Sequence, residues 1–270
     1  MQAQDYLKTG DLDAALSAVT EAVKSEPAKA ENRTFLFQLL SVTGNWERAL
    51  NQLNVAGELE ASALPMVQTY REALGCEALR EHVFTGERSP LVFGDPEQWI
   101  ALALEAVKLI GKGKYAEAAD LRDQAYESAP TASGTINGEA FEWLADADSR
   151  IGPFLEAVVN GNYYWIPMHR IASVVIEPPE DLRDLVWIPA QFSWANGGQS
   201  IGLIPVRYPE TQHSEDNSLL LARKTEWTEH AGGSYCGVGQ RMLATDQGDY
   251  PLLDVREIKF NIDSQSGQTE

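Results

Sequence analysis

Asp146, Asp148 and Arg150 are the most enzyme-like grouping in this chain of 270 residues. Two acids two residues apart can project from one face of a strand, where they could share a cation or act as an acid–base pair. A site of hard oxygen ligands calls for more acids nearby and a glycine-rich loop such as an EF-hand's, and that loop is absent. The structural alternative pairs these acids with Arg183, Arg207, Arg241 or Arg256, because a planar guanidinium meets a carboxylate with two bonds. Arg183 and its neighbour Asp184 complete the candidate cluster. Structural pairing is the expectation, and a ligand pocket is the rival.

Other reactive side chains fall into no catalytic pattern. His82, His169, His213 and His230 are far apart, without zinc spacing or a nucleophile motif beside them. Gly237-Val238-Gly239 follows Cys236, yet no lysine–serine pair follows as a phosphate loop needs. Ser193 and Ser234 lack the nucleophile-elbow pattern, and Cys236 is expected to be a buried, inert thiol. No catalytic residue, metal or cofactor is assigned.

The elements that must position these residues change character midway. Gly10-Asp11-Leu12-Asp13-Ala14-Ala15-Leu16, Gly44-Asn45-Trp46-Glu47-Arg48-Ala49-Leu50 and Gly113-Lys114-Tyr115-Ala116-Glu117-Ala118-Ala119 read almost as copies. The first two glycines are 34 residues apart and the third lies 69 further on, while Pro27 and Pro130 each follow a repeat glycine by 17. This period is the signature of tetratricopeptide helical hairpins, whose apolar faces only a neighbouring unit covers. About four hairpins are expected. Apolar stripes predict helices from Leu12 to Val23, Phe35 to Val42, and Trp46 to Leu53. Ser62 is expected to cap a helix through Leu74, with a shorter one from Glu77 to Val83. Asp95-Pro96-Glu97 predicts a helix start, running to Gly111.

After Pro130 short apolar runs alternate with turn residues. Asn160-Gly161 predicts a type I′ hairpin and Phe192 to Ile201 a second one. Further strands are expected at Ile171 to Ile176, Leu185 to Ile188, Leu219 to Ala222, Met242 to Ala244 and Leu252 to Phe260. The expected fold is multidomain α and β: a tetratricopeptide-like helical array over 1–130, then a β-rich α+β domain over 131–263, either barrel or strongly curved sheet. Residues 264–270 read as a flexible tail.

The formal charge is −19, and both halves share it, with 12 basic and 20 acidic residues to Pro130 and 9 and 20 thereafter. Such a field repels nucleic acid and anionic lipid and favours a basic partner surface. The start lacks a signal-peptide pattern, no apolar stretch reaches membrane-span length, and Cys76 and Cys236 suit reduced thiols. The expected location is the cytoplasm.

Phe141-Glu142-Trp143-Leu144-Ala145-Asp146-Ala147-Asp148-Ser149-Arg150-Ile151-Gly152-Pro153 resembles the ImpE family, also called TagJ or SciE-type proteins of bacterial type VI secretion. Arg80-Glu81-His82-Val83-Phe84-Thr85-Gly86, Pro90 to Gly94, Tyr163 to Pro167, Leu182 to Trp187, Ile204 to Tyr208, Gly239-Gln240-Arg241 and Leu252 to Arg256 match too, in order over nearly the whole length. The resemblance implies an accessory protein associating with the sheath small subunit TssB, and thereby with the ClpV ATPase. It carries over no catalytic residue.

The function expected is therefore a non-enzymatic adaptor. Its helical array would form a concave groove for an amphipathic helix or extended segment, with the β-rich half packed on the last repeat. Phe35, Gln38, Tyr70 and Trp99 are the candidate partner contacts. The alternative is a small-ligand-binding or hydrolytic protein using Asp146, Asp148 and Arg150.

Overall fold

The computed structural model describes residues 2–262, so the 264–270 tail lies outside the described residues. Helices α1 (Gln2–Thr9), α2 (Leu12–Ser25), α3 (Ala30–Val42), α4 (Trp46–Leu59) and α5 (Leu64–Phe84) come first. A two-residue strand β1 (Leu91–Val92) precedes α6 (Gln98–Gly111) and α7 (Tyr115–Ser128). Each repeated segment begins at the turn between two helices. Gly10, Gly44 and Gly113 are left-handed there, at φ 80°, 69° and 74°. The amide after each glycine donates five residues back: Asp11 to Tyr6, Asn45 to Leu40 and Lys114 to Leu109, at 2.9, 2.8 and 2.9 Å. This is the Schellman arrangement, which satisfies the last helical carbonyls and favours glycine.

Only at Gly44 does the space around the turn also exclude a side chain. A Cβ there would lie 2.5 Å from Gln212 Cβ, whereas nothing lies within 4 Å at Gly113. Gly113→Ala should cost about 1–2 kcal/mol for its left-handed backbone. Gly44→Ala should cost clearly more, which urea denaturation of the two variants will measure.

The array departs from the expected hairpin count. Three hairpins form, α1/α2, α3/α4 and α6/α7, while the single 21-residue α5 stands between the second and third. The sequence predicts a break near Gly75, but α5 packs against α4, α6 and the sheet, and this outweighs glycine's cost of about 1 kcal/mol. Ser62 does not cap it: Ala63 holds that position and the Ser62 hydroxyl donates to Glu60. The next helix starts at Gln98, after the Asp95-Pro96 signal. Glu97 is drawn off as acceptor for the Trp99 indole (2.9 Å) and for Arg170.

The second half contains β2 (Gly134–Ile136), β3 (Glu139–Phe141), β4 (Leu144–Asp146), β5 (Phe154–Val159), β6 (Asn162–Pro167), β7 (Ile171–Ile176), β8 (Trp187–Trp194) and β9 (Gln199–Pro205). A short helix α8 (Asn217–Leu220) precedes β10 (Thr225–His230), β11 (Ser234–Gly239), β12 (Met242–Thr245), β13 (Asp249–Pro251) and β14 (Glu257–Phe260). Asn160 and Gly161 make the expected tight hairpin, with φ 49° and 74°. The expected strand over Leu219–Ala222 is instead α8, because Asp216 caps it by accepting the Ser218 amide at 2.7 Å. The Leu252 run begins as a 3-10 turn and becomes a strand only at Glu257.

The strands form a nine-stranded sheet ordered β1-β6-β5-β9-β8-β7-β14-β2-β3, open at both ends and so not a barrel. Its pairings are antiparallel except β1 with β6. A β13-β12-β4 sheet and the β10-β11 hairpin complete it. Along β5, Phe154 and Val158 join the core shared with the helices, while Leu155, Ala157 and Val159 join the core on the opposite face. Glu156 therefore points at the helices.

The β-rich half does not merely sit on the last repeat. Trp187 lies 5.7 Å from Trp46 and 6.0 Å from Tyr70, Trp165 lies 5.7 Å from Phe84, and Phe154 lies 4.9 Å from Trp99. Asn217 and Arg223 reach back to carbonyls of Gly10 and Leu7. One apolar cluster runs from Leu12 and Leu39 to Trp187 and Tyr208. The sheet thus covers a face that the helical pattern leaves open to a neighbour.

Candidate functional site

Glu77 and Arg80 are three residues apart on α5 and so share a face. That face meets the sheet at Glu156. Arg80 Nε donates to Glu156 Oε1 at 2.7 Å and Nη2 to Oε2 at 3.2 Å. Arg241 and the Tyr163 hydroxyl donate to the same carboxylate, and the Trp165 indole donates to the Tyr163 oxygen at 2.7 Å. Glu77 accepts the Trp187 indole N–H at 2.7 Å. Arg241 also faces Asp146, with Nη1 3.2 Å from Oδ2, an attraction without hydrogen-bond geometry.

The acid cluster lies beside this network. Asp146 Oδ1 accepts the Tyr208 hydroxyl and the Asp148 amide, both at 2.9 Å. Asp148 is fully buried. Its Oδ1 takes the Arg150 amide (2.8 Å) and Nε (2.9 Å), and its Oδ2 takes Arg150 Nη2 (2.6 Å) and the Gly237 amide (2.7 Å). Both oxygens are spent on the chain's own donors, and no metal-capable group of three His, Cys, Asp or Glu occurs among the described residues. Of the four arginines expected as partners, only Arg241 pairs with an acid here. Arg207 donates to the Val42, Leu220 and Ser41 carbonyls at 2.7, 2.7 and 3.3 Å. It thus holds the carbonyl end of α3, where a cation suits the helix dipole. Arg256 binds the carbonyl of Val255.

Arg183 and Asp184 leave the cluster altogether. Arg183 pairs with Asp181 at 2.8 Å and lies 4.9 Å over the Tyr70 ring. Asp184 accepts the amides of Glu180 and Asp181 at 2.8 and 3.1 Å. Together they stiffen segment 179–185, one wall of a groove of about 660 Å³. Phe35 and Gln38 line the opposite wall. Tyr70 and Trp99 do not reach it: both are buried under the β-rich half, so their rings pack inside the molecule rather than facing outward.

Burial sets the ionisation of this interior. It would push the Glu156 carboxyl up, but Arg241 and Arg80 overcome it and bring the group down to about 2. Burial pushes Asp146 up to about 7, against the pull of Arg241. It also raises both thiols, Cys76 and Cys236, to about 11, which leaves them inert as nucleophiles. Since the folded chain holds the Asp146 proton more tightly than the unfolded chain does, that contribution to stability is full below the unfolded value and fades as pH rises through about 7. Asp146→Asn should therefore gain on the parent in melting temperature between about pH 5 and pH 8. Parallel melting curves across that range check it.

The family profile described as ImpE protein matches residues 138–259. A curated relative, the type VI secretion system accessory component TagJ of Pseudomonas aeruginosa PAO1, is 51% identical over 96% of this chain and 91% of its own length. The chain belongs to the ImpE family. Protein VPA1032 of Vibrio parahaemolyticus, known from a crystal structure, shares the fold, with a TM-score of 0.88 at 24% identity over 98% of this chain and 99% of its own. In this ImpE chain, the segments that carry the family resemblance supply Arg80, Asp146, Asp148, Arg150, Trp187, Arg207, Tyr208 and Arg241. Of these, Arg80, Trp187 and Arg207 bond between the helices and the β-rich half, Arg150 lies over the Phe84 ring, and Asp146, Asp148, Tyr208 and Arg241 bond within the β-rich half.

Sequence reasoning missed Glu156, Arg80 and Glu77. A signal existed for the first: Glu156 is a lone charge inside Phe154-Leu155-Glu156-Ala157-Val158-Val159, an otherwise apolar run. A charge buried on a strand must find a partner.

Proposed function

We propose that this chain is a non-catalytic accessory component of a type VI secretion apparatus that works by holding another protein. The carrying observation is that the groups best suited to chemistry are consumed by the fold. Asp148 gives both oxygens to Arg150 and to backbone amides, and Glu156 is closed in by Arg80, Arg241 and Tyr163. The likeness to TagJ over nearly the whole chain supports the same reading. The family resemblance names the partner as the sheath small subunit TssB, with ClpV reached through it. The hairpins are read as tetratricopeptide-like units over 1–130, the β-rich unit as 131–263, and the site of action as the cytoplasm. No helix among the described residues is long and apolar enough to cross a membrane.

The charge of −19 makes the association electrostatically steered. Co-purification with TssB should be stronger at about 50 mM salt than at about 500 mM. Capture that is equal at both would remove the electrostatic part, and no capture at either would remove the partner. A thermal-shift screen with divalent metals, nucleotides and organic acids is expected to leave the melting temperature unmoved. A shift of several degrees would favour a ligand-binding role instead.

A further inference from the structure

Among the described residues, sheet edges are short or filled, with one exception. β1, β3, β4 and β13, the outer strands of the two larger sheets, run for only two or three residues each. Brevity blunts an edge, because few unpaired backbone groups are offered to another chain. β10 is six residues long and forms the outer side of the β10-β11 hairpin. The ladder between these two strands fixes which groups point outward. Gln240 donates its amide to the Lys224 carbonyl at 2.9 Å, and the register from Thr225↔Gly239 to His230↔Ser234 runs without a shift. Bonded pairs alternate along such a ladder, so Thr225, Trp227 and Glu229 of β10 turn their N–H and C=O outward, as Tyr235, Gly237 and Gly239 of β11 do on the other side. On β11 every one of these groups is taken: Tyr235 by Ser149, Gly237 by Asp148 and Arg150, Gly239 by Thr211 and Tyr208. On β10 none of them has a partner among the described residues. Trp227 stands there 41% exposed, its ring held 5.4 Å from that of Tyr208.

We propose that β10 is a self-association edge, which takes β10 of a second copy of this chain in antiparallel pairing about a two-fold axis. The inference stands apart from what the chain holds elsewhere on its surface. The free groups alternate at strand spacing, so their occupant is an extended strand; a helix, whose backbone is bonded internally, cannot meet them. The register argues for a second copy. Outward residues pair only with outward residues, and a two-fold axis at Trp227 sets that residue opposite its own copy and Thr225 opposite Glu229. Each copy's free N–H groups then meet the other's free carbonyls, with none left over. The same register sets Glu226 opposite Thr228 and Lys224 opposite His230. No two acids face each other directly, although the strand carries both Glu226 and Glu229. The two exposed indoles meet on the axis, and the two hairpins become one four-stranded sheet.

Sedimentation velocity of the full-length chain over a concentration series is the test. The parent should move from the mass of one chain toward twice that mass as concentration rises to about 0.5 mM. Because each copy carries −19, pairing should be tighter at about 500 mM salt than at about 50 mM, the reverse of what is expected for capture of a basic partner. Thr228→Glu sets an acid opposite Glu226 at two symmetric places and should weaken pairing about tenfold, whereas Thr228→Lys sets a base there and should tighten it. Thr228 is exposed, so neither change disturbs the interior, and melting curves confirm that both variants are folded. Thr131→Glu and Thr131→Lys make the same charge changes at an exposed residue outside the strands and should pair like the parent. A parent that keeps the mass of one chain at every concentration and both salt levels overturns the proposal. So does a dimer that the Thr228 and Thr131 changes affect alike.

Discussion

Glu156→Gln is expected to destabilise the fold by about 3–5 kcal/mol, a large share of the stability of a chain this size. The carboxylate is fully buried and accepts from two guanidiniums and a phenol at once. A glutamine of the same shape removes the negative charge and leaves the two buried guanidiniums with fewer acids, Arg80 with Glu77 at 3.6 Å and Arg241 with Asp146 at 3.2 Å. The loss reflects that imbalance more than the worth of the pairs themselves, because a matched ion network and a well-packed apolar one can be nearly equal in energy. Replacing Glu156 by Leu together with Arg80 by Met removes one buried charge of each sign, leaves Arg241 with Asp146, and should therefore recover part of the loss. Urea denaturation of the single and double variants separates the two effects. A single variant as stable as the parent would mean that the charge is not needed. The same carboxyl governs acid behaviour: with its folded value near 2, its contribution is full above the unfolded carboxylate range and is lost as pH falls toward 2.

Trp187→Ala should cost a comparable amount, about 3–5 kcal/mol, because the indole is fully buried where the two halves meet. It packs on Trp46 and Tyr70, and its N–H is a hydrogen bond to a carboxylate, Glu77. Trp187→Phe keeps most of the packing and loses that bond, so a loss of about 1.5–3 kcal/mol is expected. Trp143, 42% exposed, is the comparator, and Trp143→Ala should change stability little. Equal losses for Trp143→Ala and Trp187→Ala would contradict the docking seam.

The helices were legible because their signals are local. Gly10, Gly44 and Gly113 mark left-handed turns, and the stripe from Leu12 to Val23 leaves only one face to bury. The unbroken α5 was not legible, since Gly75 weakens a helix locally and only contacts with other elements restore it. The Leu219–Ala222 run failed for a related reason: its four apolar residues suit a strand or a buried helix alike, and the cap at Asp216 decided. At the candidate site, the pairing of Asp148 with Arg150 could be inferred from neighbouring residues. Glu156 meeting Arg80 and Arg241 could not, because partners 76 and 85 residues away are chosen by the sheet order. Tyr70 and Trp99 were placed correctly on helices but on the wrong side of the molecule's surface. The periodicity that made them look available to a partner is equally consistent with a sheet from the same chain.

Hydrogen–deuterium exchange of the full-length chain, alone and with purified TssB, is the most direct test of the proposal that this chain holds a partner by its surface while its charged interior serves the fold. Protection on binding should appear in surface segments, with the buried 146–150 segment unchanged. Protection centred on 146–150, or none anywhere, would contradict it.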